Sequence, residues 1–416
     1  MRASDRTETG HAPTTPGGAR SLVTHALGLH TLVMYGITYY AIGATAPVMA
    51  REFGVTTSTV FVVLGVALVA HAMVAASAGR AIDRLGAGLF LLAGSIMRVL
   101  ALVVMAFAAD VLVFVTALAV IQFMSVFTEY DAAFAAAVEA HGDNARGSLS
   151  LITVWGGLAS TAFWPLTTYL LDGVGWRTMF LMYAGIMAAV SIPVSLYVLQ
   201  RSRRGGARPS SVGTIPPGTA PGFKTATPDT AAVFLPLVLA FSLGSVAMGI
   251  PIVLPNLLDG LGLGSTAAIA GLLFGPSQTA GRFFEFLFAR RLTPLAVAIG
   301  ATALLPLSIA LLVAGRDQVW AVILFAVLFG AGNGISYVVR GTVVLSLFGP
   351  SGYATYLGRI ARIRLLVAAA TPVVLTYLLD HYGAVAAFTF AGVCGVLAVA
   401  AFEVVRRLGQ GERRHG

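Results

Sequence analysis

Twelve apolar runs, each about as long as a bilayer-spanning helix, leave this chain few folds to choose from. They lie near residues 25–48, 59–79, 88–109, 111–133, 149–171 and 177–199, then 231–255, 266–289, 295–314, 319–340, 362–380 and 384–404. A spanning helix needs roughly 20 apolar residues. Backbone N–H and C=O groups find no water in lipid, so only helices and closed barrels cross it. The runs are long and lack the two-residue alternation of barrel strands. A soluble globule carries about 25% charged residues. This chain has 10%, with 57% hydrophobic. The expected fold class is an all-α polytopic membrane protein.

The formal charge of +9 would invite a nucleic-acid reading, but its distribution argues for topology instead. Among short loops, Arg80, Arg84, Arg146, Arg290, Arg291, Arg359, Arg362 and Arg364 fall on one side, and Arg51, Arg177 and Arg316 on the other. Basic residues accumulate on cytoplasmic loops, which places both termini and the central loop in the cytoplasm. Arg with a single Lys224, and abundant Ala and Gly, suit a GC-rich bacterial source and hence an inner membrane. Residues 1–20 are polar, so no removable signal peptide is expected. Cys394 is the only cysteine, which excludes an intrachain disulfide and a multi-thiolate metal site.

The runs divide into a bundle over 25–200 and another over 231–405, with tails at 1–24 and 406–416. Between them, 201–230 is rich in Gly, Pro, Ser and Thr and reads as a cytoplasmic linker. The halves echo each other. Thr168-Tyr-Leu-Leu-Asp172 returns as Thr376-Tyr-Leu-Leu-Asp380, and Gly79-Arg-Ala-Ile-Asp83 as Gly281-Arg-Phe-Phe-Glu285. Matches in equivalent helices point to a duplicated six-helix unit. An even number of spans makes the two repeats parallel.

Gly79-Arg80-Ala81-Ile82-Asp83-Arg84-Leu85-Gly86 resembles the loop between helices two and three of the major facilitator superfamily, and Gly175-Trp176-Arg177 its opening of helix six. The basic pair usual after the last glycine is replaced by Ala87-Gly88, and the antiporter Gly-Pro pattern on helix five is not matched. The resemblance covers about residues 22–408. It implies twelve helices in two parallel six-helix repeats, a substrate site between them, and alternating access. Tyr130-Asp-Ala-Ala-Phe134, Gly275-Pro-Ser-Gln278 and Gly330-Ala-Gly-Asn-Gly334 with Arg340-Gly-Thr342 further resemble a bacterial branch associated with efflux of arsenite and trivalent organoarsenicals. That branch lies close to monocarboxylate porters.

An ionisable group at the centre of a spanning helix costs at least ~2.5–3.5 kcal/mol, so each needs a reason. Asp83 and Arg84, framed by Gly79 and Gly86, are read as a conformational latch, with Asp83 facing the positive N-terminus of helix eleven. A plain turn is the alternative. Arg282 and Glu285, three apart and following Gly281, share a face and form either a second latch near Arg146 or, if deeper, a place where Arg282 meets an anion. Glu129 and Asp131 point to different faces; one of them, or His71, is the proton-coupling candidate, against a solvated or purely structural role. Arg98 must pair or snorkel, with a carboxylate on helix four the nearest partner. Tyr35, Tyr39, Gln278, Asn333, Tyr337 and Arg340 are the cavity candidates.

No Gly-x-x-x-x-Gly-Lys loop, metal-ligand spacing or nucleophile elbow is present, so ATP, metal cofactors and enzymatic catalysis are not expected. The expected function is proton-coupled antiport of a small toxic solute, with arsenite handled as a neutral hydroxide. The alternatives are a porter of monocarboxylates or other small organic anions, and a non-transporting membrane sensor. The expected partners are a small-molecule substrate, protons and the lipid bilayer.

Overall fold

The computed structural model describes residues 17–204, 228–288, 291–315 and 318–411, which are helical apart from short turns. Eight stretches are long and apolar enough to cross a membrane, and Ala232–Met248 with Ile250–Asp259, bent by 41°, makes a ninth. One of the eight, Val111–Arg203, has 93 residues. Straight, it would run for roughly 140 Å at 1.5 Å per residue; instead it turns back at Gly142–Ala145 and at Gly175, making three passes. Ala267–Phe288 adds another. The passes, twelve among the described residues, are α1 (17–52), α2 (Thr57–Leu85), α3 (Ala87–Ala106), α4 (111–141), α5 (146–174), α6 (176–204), α7 (228–259), α8 (Ala267–Phe288), α9 (Pro294–Ala314), α10 (Val319–Phe348), α11 (Tyr353–Tyr382) and α12 (Ala384–Gly411).

Local chemistry sets the helix ends. Thr56 accepts from the Thr59 N–H at the start of α2, and Asp110 from Leu112 and Val113 at the start of α4. Thr293 caps α9, whose first residue is Pro294. Such caps satisfy donors the helix leaves free and contribute ~1 kcal/mol each. The one-residue reversals between α2 and α3 and between α11 and α12 fall on Gly86 (φ 89) and Gly383 (φ 82), where a side chain would strain the backbone.

Most helices run several residues past the apolar core. The largest departure from expectation is α11, which starts at Tyr353 rather than at residue 362. Arg359, Arg362 and Arg364 are therefore helical, not loop residues, because the helix begins where Gly352 (φ 68) turns the chain and not where hydropathy rises. Arg359 and Arg362 are exposed, whereas Arg364 is partly buried. Arg290, Arg316 and most of the linker and tails lie outside the described residues.

Three cores hold the bundle. One, at the end carrying Asp83, is built from both halves: Leu27, Ile82, Phe134 and Ile152 pack in one cluster with Leu237, Val343 and Leu357. At the opposite end each half has its own, around Ile37, Leu102 and Phe114 in one and Ile250, Phe325 and Phe388 in the other. The halves are thus sealed together at the Asp83 end and packed separately at the other. Gly79 lies against the Ala354 carbonyl of α11, in the opposite half. Its sequence echo, Gly281, packs inside its own half, where a Cβ would stand 2.6 Å from the Ala331 carbonyl of α10.

Candidate substrate site at the junction of the halves

Two irregular helices shape the centre of the first half. In α1 a π-helical turn, Gly36–Ala41, widens the backbone and presents Tyr39 and Tyr40. In α4 the helix breaks at Glu129 (φ −94, ψ −163), between Ser125–Thr128 and Tyr130–His141. The break is held from both sides. His30 Nε2 donates to the Thr128 carbonyl at 3.0 Å. Arg98, fully buried, donates from Nη2 to Glu129 Oε1 at 3.0 Å and from Nε to the Ile121 carbonyl at 2.9 Å. Glu129 is therefore committed to a structural ion pair within its own half.

Asp131, two residues on, faces the other half. Its Oδ1 lies 3.7 Å from Arg340 Nε and its Oδ2 3.8 Å from Arg364 Nη2. Both separations exceed hydrogen-bond length. Asp131 Oδ1, Arg340 Nε and Nη2, and Arg364 Nε are all buried without a hydrogen-bond partner among the described residues. The pairing is electrostatic and loose. Tyr130 and Tyr337 wall it, with the Arg340 guanidinium 5.6 and 5.1 Å from their ring centroids. Tyr35 packs on Tyr130 at 4.7 Å, and Tyr39 on Tyr35 at 6.0 Å.

Arg282 is a third buried cation at this junction. Its Nη1 donates across the halves to Tyr130 Oη at 3.3 Å and to the Thr153 carbonyl at 3.2 Å, its Nε donates to the Gly334 carbonyl at 3.2 Å, and it lies 4.8 Å from the Tyr337 ring. Gln278 accepts from it at 3.5 Å. Among the described residues Arg282 has no carboxylate partner; Glu285, buried on the same helix, makes no ion pair with it and has Ser150 and Arg146 of α5 as its polar neighbours. Arg282 belongs with the central tyrosines, because α8 turns that face toward α5 and not toward the loops.

At the sealed end, Asp83 accepts from the Ala354 N–H at 3.1 Å, the Thr355 N–H at 2.8 Å and the Thr355 hydroxyl at 2.5 Å. A carboxylate on the first N–H groups of α11 satisfies orphan donors and meets the positive end of the helix dipole. Arg84 is exposed. Arg146 donates to the Leu292 carbonyl at 2.8 Å, a second polar tie across the halves at this end. His71 hydrogen-bonds Ser125 at 2.7 Å and lines a small cavity with Asp131 and Gly79. Asn333 is buried with its Oδ1 unpartnered.

Arg364, Tyr130, Thr153 and Thr355 escaped the sequence reading as site residues. For Arg364 a signal existed: Leu357, Ile360 and Ala361 precede it by seven, four and three residues, the spacing of a buried helix face. Tyr130 opens the branch-like Tyr130-Asp-Ala-Ala-Phe134 run, which does not single out its phenol, and no motif marks the Thr153 carbonyl or the Thr355 N–H and hydroxyl.

A family profile described as Major Facilitator Superfamily matches residues 29–363. Comparison with curated proteins gives no match. Among solved structures, the human organic anion transporter MFSD10 (TETRAN) superposes with a TM-score of 0.72 at 16% identity, covering 93% of this chain and all of that one. The proton:xylose symporter XylE, bound to 6-bromo-6-deoxy-D-glucose, gives 0.64 at 14% identity over 93% and 95% of the two chains. FucP, in its outward conformation, gives 0.68 at 12% identity over 93% and 99%. At these identities the likeness establishes the fold.

Proposed function

Because the chain belongs to the Major Facilitator Superfamily, we propose that this membrane transporter carries small organic anions, with protons coupled through Asp131. One observation carries the reading: Arg282, Arg340 and Arg364 meet at the junction of the halves, and a single loosely placed carboxylate serves two of them. Buried charge is costly unless paired. A substrate carboxylate would complete the pairing, and guanidinium groups suit that geometry.

The coupling sense follows from competition. An entering anion and ionised Asp131 seek the same two guanidiniums. Anion binding therefore favours the protonated carboxyl, and the two travel together. Cotransport replaces the antiport expected from sequence. The same step supplies the switch, because neutralising Asp131 and filling the Arg pair changes what holds α4 to α10 and α11.

We place the Asp83 end in the cytoplasm of a bacterial inner membrane, on the concentration of Arg80, Arg84, Arg146, Arg291, Arg359 and Arg362 there. The state described is then closed to the cytoplasm. Arsenite, favoured by the branch resemblance, finds no thiolate at the junction: Cys394, the single cysteine, is buried in the separate core of the second half. Efflux rests on that resemblance alone. The test is uptake and efflux of labelled lactate and arsenite, side by side, in proteoliposomes under an imposed pH gradient. Lactate accumulation toward the alkaline side supports the proposal; arsenite movement without lactate movement overturns it.

A further inference from the structure

We infer that the transported anion carries a compact apolar tail, seated in a side cavity inside the second half behind Arg340 and Arg364. This deepens the anion reading and rests on it.

The cavity lies between α7, α9, α10, α11 and α12. Phe241, Met248, Leu305 and Phe402 give it apolar walls, and Arg340 and Arg364 line it as well. These are the two guanidiniums that face Asp131. One wall of the cavity is therefore the cationic pair; Thr302, Ser336 and Tyr337 bring hydroxyls to it, and most of the remaining lining is hydrocarbon. Donors at that wall are unsatisfied among the described residues: Arg340 is 8% exposed, and its Nε and Nη2, like Arg364 Nε, have no hydrogen-bond partner there. A carboxylate at the pair, with its alkyl group pointing inward, would satisfy both surfaces at once.

Size narrows the class. The cavity measures about 30 Å³, room for about two water-sized groups at ~10–15 Å³ each. Acids of three or four carbons suit that room; a six-carbon sugar acid is too long for it, and most of its hydroxyls would meet hydrocarbon. Gly244 keeps one side open, for a Cβ there would meet only Ala398 Cβ at 3.8 Å.

The test is binding of acetate, propionate, butyrate and gluconate to the purified full-length transporter in detergent, by calorimetry. Affinity should rise about fourfold per added methylene from acetate to butyrate, the equivalent of ~0.8 kcal/mol per buried CH₂, with gluconate weakest. Gly244→Leu, which fills the cavity, should cancel the rise, so that butyrate binds that variant no more tightly than acetate does. Equal affinity along the wild-type series overturns the tail cavity and leaves the anion reading standing, and so does a rise that persists in Gly244→Leu. Should none of the acids bind, both readings fall. The wild-type series decides the matter even if the variant does not fold.

Discussion

Arg98 and Asp131 illustrate two fates for charge inside this bundle. Arg98 is fully buried and bonded to Glu129 and the Ile121 carbonyl. Removing one partner of such a pair strands the other, at a cost of about 3–5 kcal/mol, whereas replacing both with apolar residues of similar volume is close to neutral. Glu129→Gln should therefore lower thermal stability in detergent markedly, and Arg98→Met with Glu129→Met should recover most of it. Equal losses in the single and double variants would contradict the structural assignment. Asp131 has no such bonds, and Asp131→Asn is expected to cost less stability than Glu129→Gln while altering transport. Sequence reading reached the need for a carboxylate near Arg98, since an unpaired guanidinium in lipid is costly. It did not separate Glu129 from Asp131. The helix break at Glu129 sets which of the two turns inward, and no turn-forming glycine or proline marks that break.

Helix contacts explain what the latch does. Gly79 of α2 and Gly358 of α11 each face the other helix's carbonyls, so the two helices touch backbone to backbone, and Asp83 closes the contact onto Ala354 and Thr355. An N-terminal cap of this kind contributes ~1 kcal/mol, enough to shift a two-state balance about fivefold. We expect Asp83→Asn to loosen the sealed end. With Cys394 replaced by Ala and a reporter at Leu357→Cys, which is 2% exposed, maleimide labelling should accelerate severalfold. An unchanged labelling rate would remove Asp83 from the latch. Gly79→Leu should produce a larger effect, because its side chain would collide with the Ala354 backbone. The twelve helices were legible because hydropathy tracks the bilayer. The start of α11 was not, because a helix entering a sealed interface carries arginines that a hydropathy window reads as loop.

At the scale of the whole molecule, two bundles share a core at one end and keep separate cores at the other, the arrangement that rocking about a central site requires. The duplication was visible as sequence echoes, but the repeats have diverged in use: Gly79 seals the halves and Gly281 packs α8 on α10. Topology has a direct check. Cysteines at Ser202 and Gly315 lie at opposite ends of the bundle and should label from opposite faces of the membrane, Ser202 from the cytoplasm; labelling of both from one face would break the assignment. The central claim is that anion and ionised Asp131 compete for Arg340 and Arg364. It is tested most directly by adding propionate to purified transporter in weak buffer with a pH-sensitive dye. The account predicts net proton uptake on binding, abolished in Asp131→Asn even though that variant still binds propionate. Binding without proton uptake, or uptake that persists undiminished in Asp131→Asn, would contradict it.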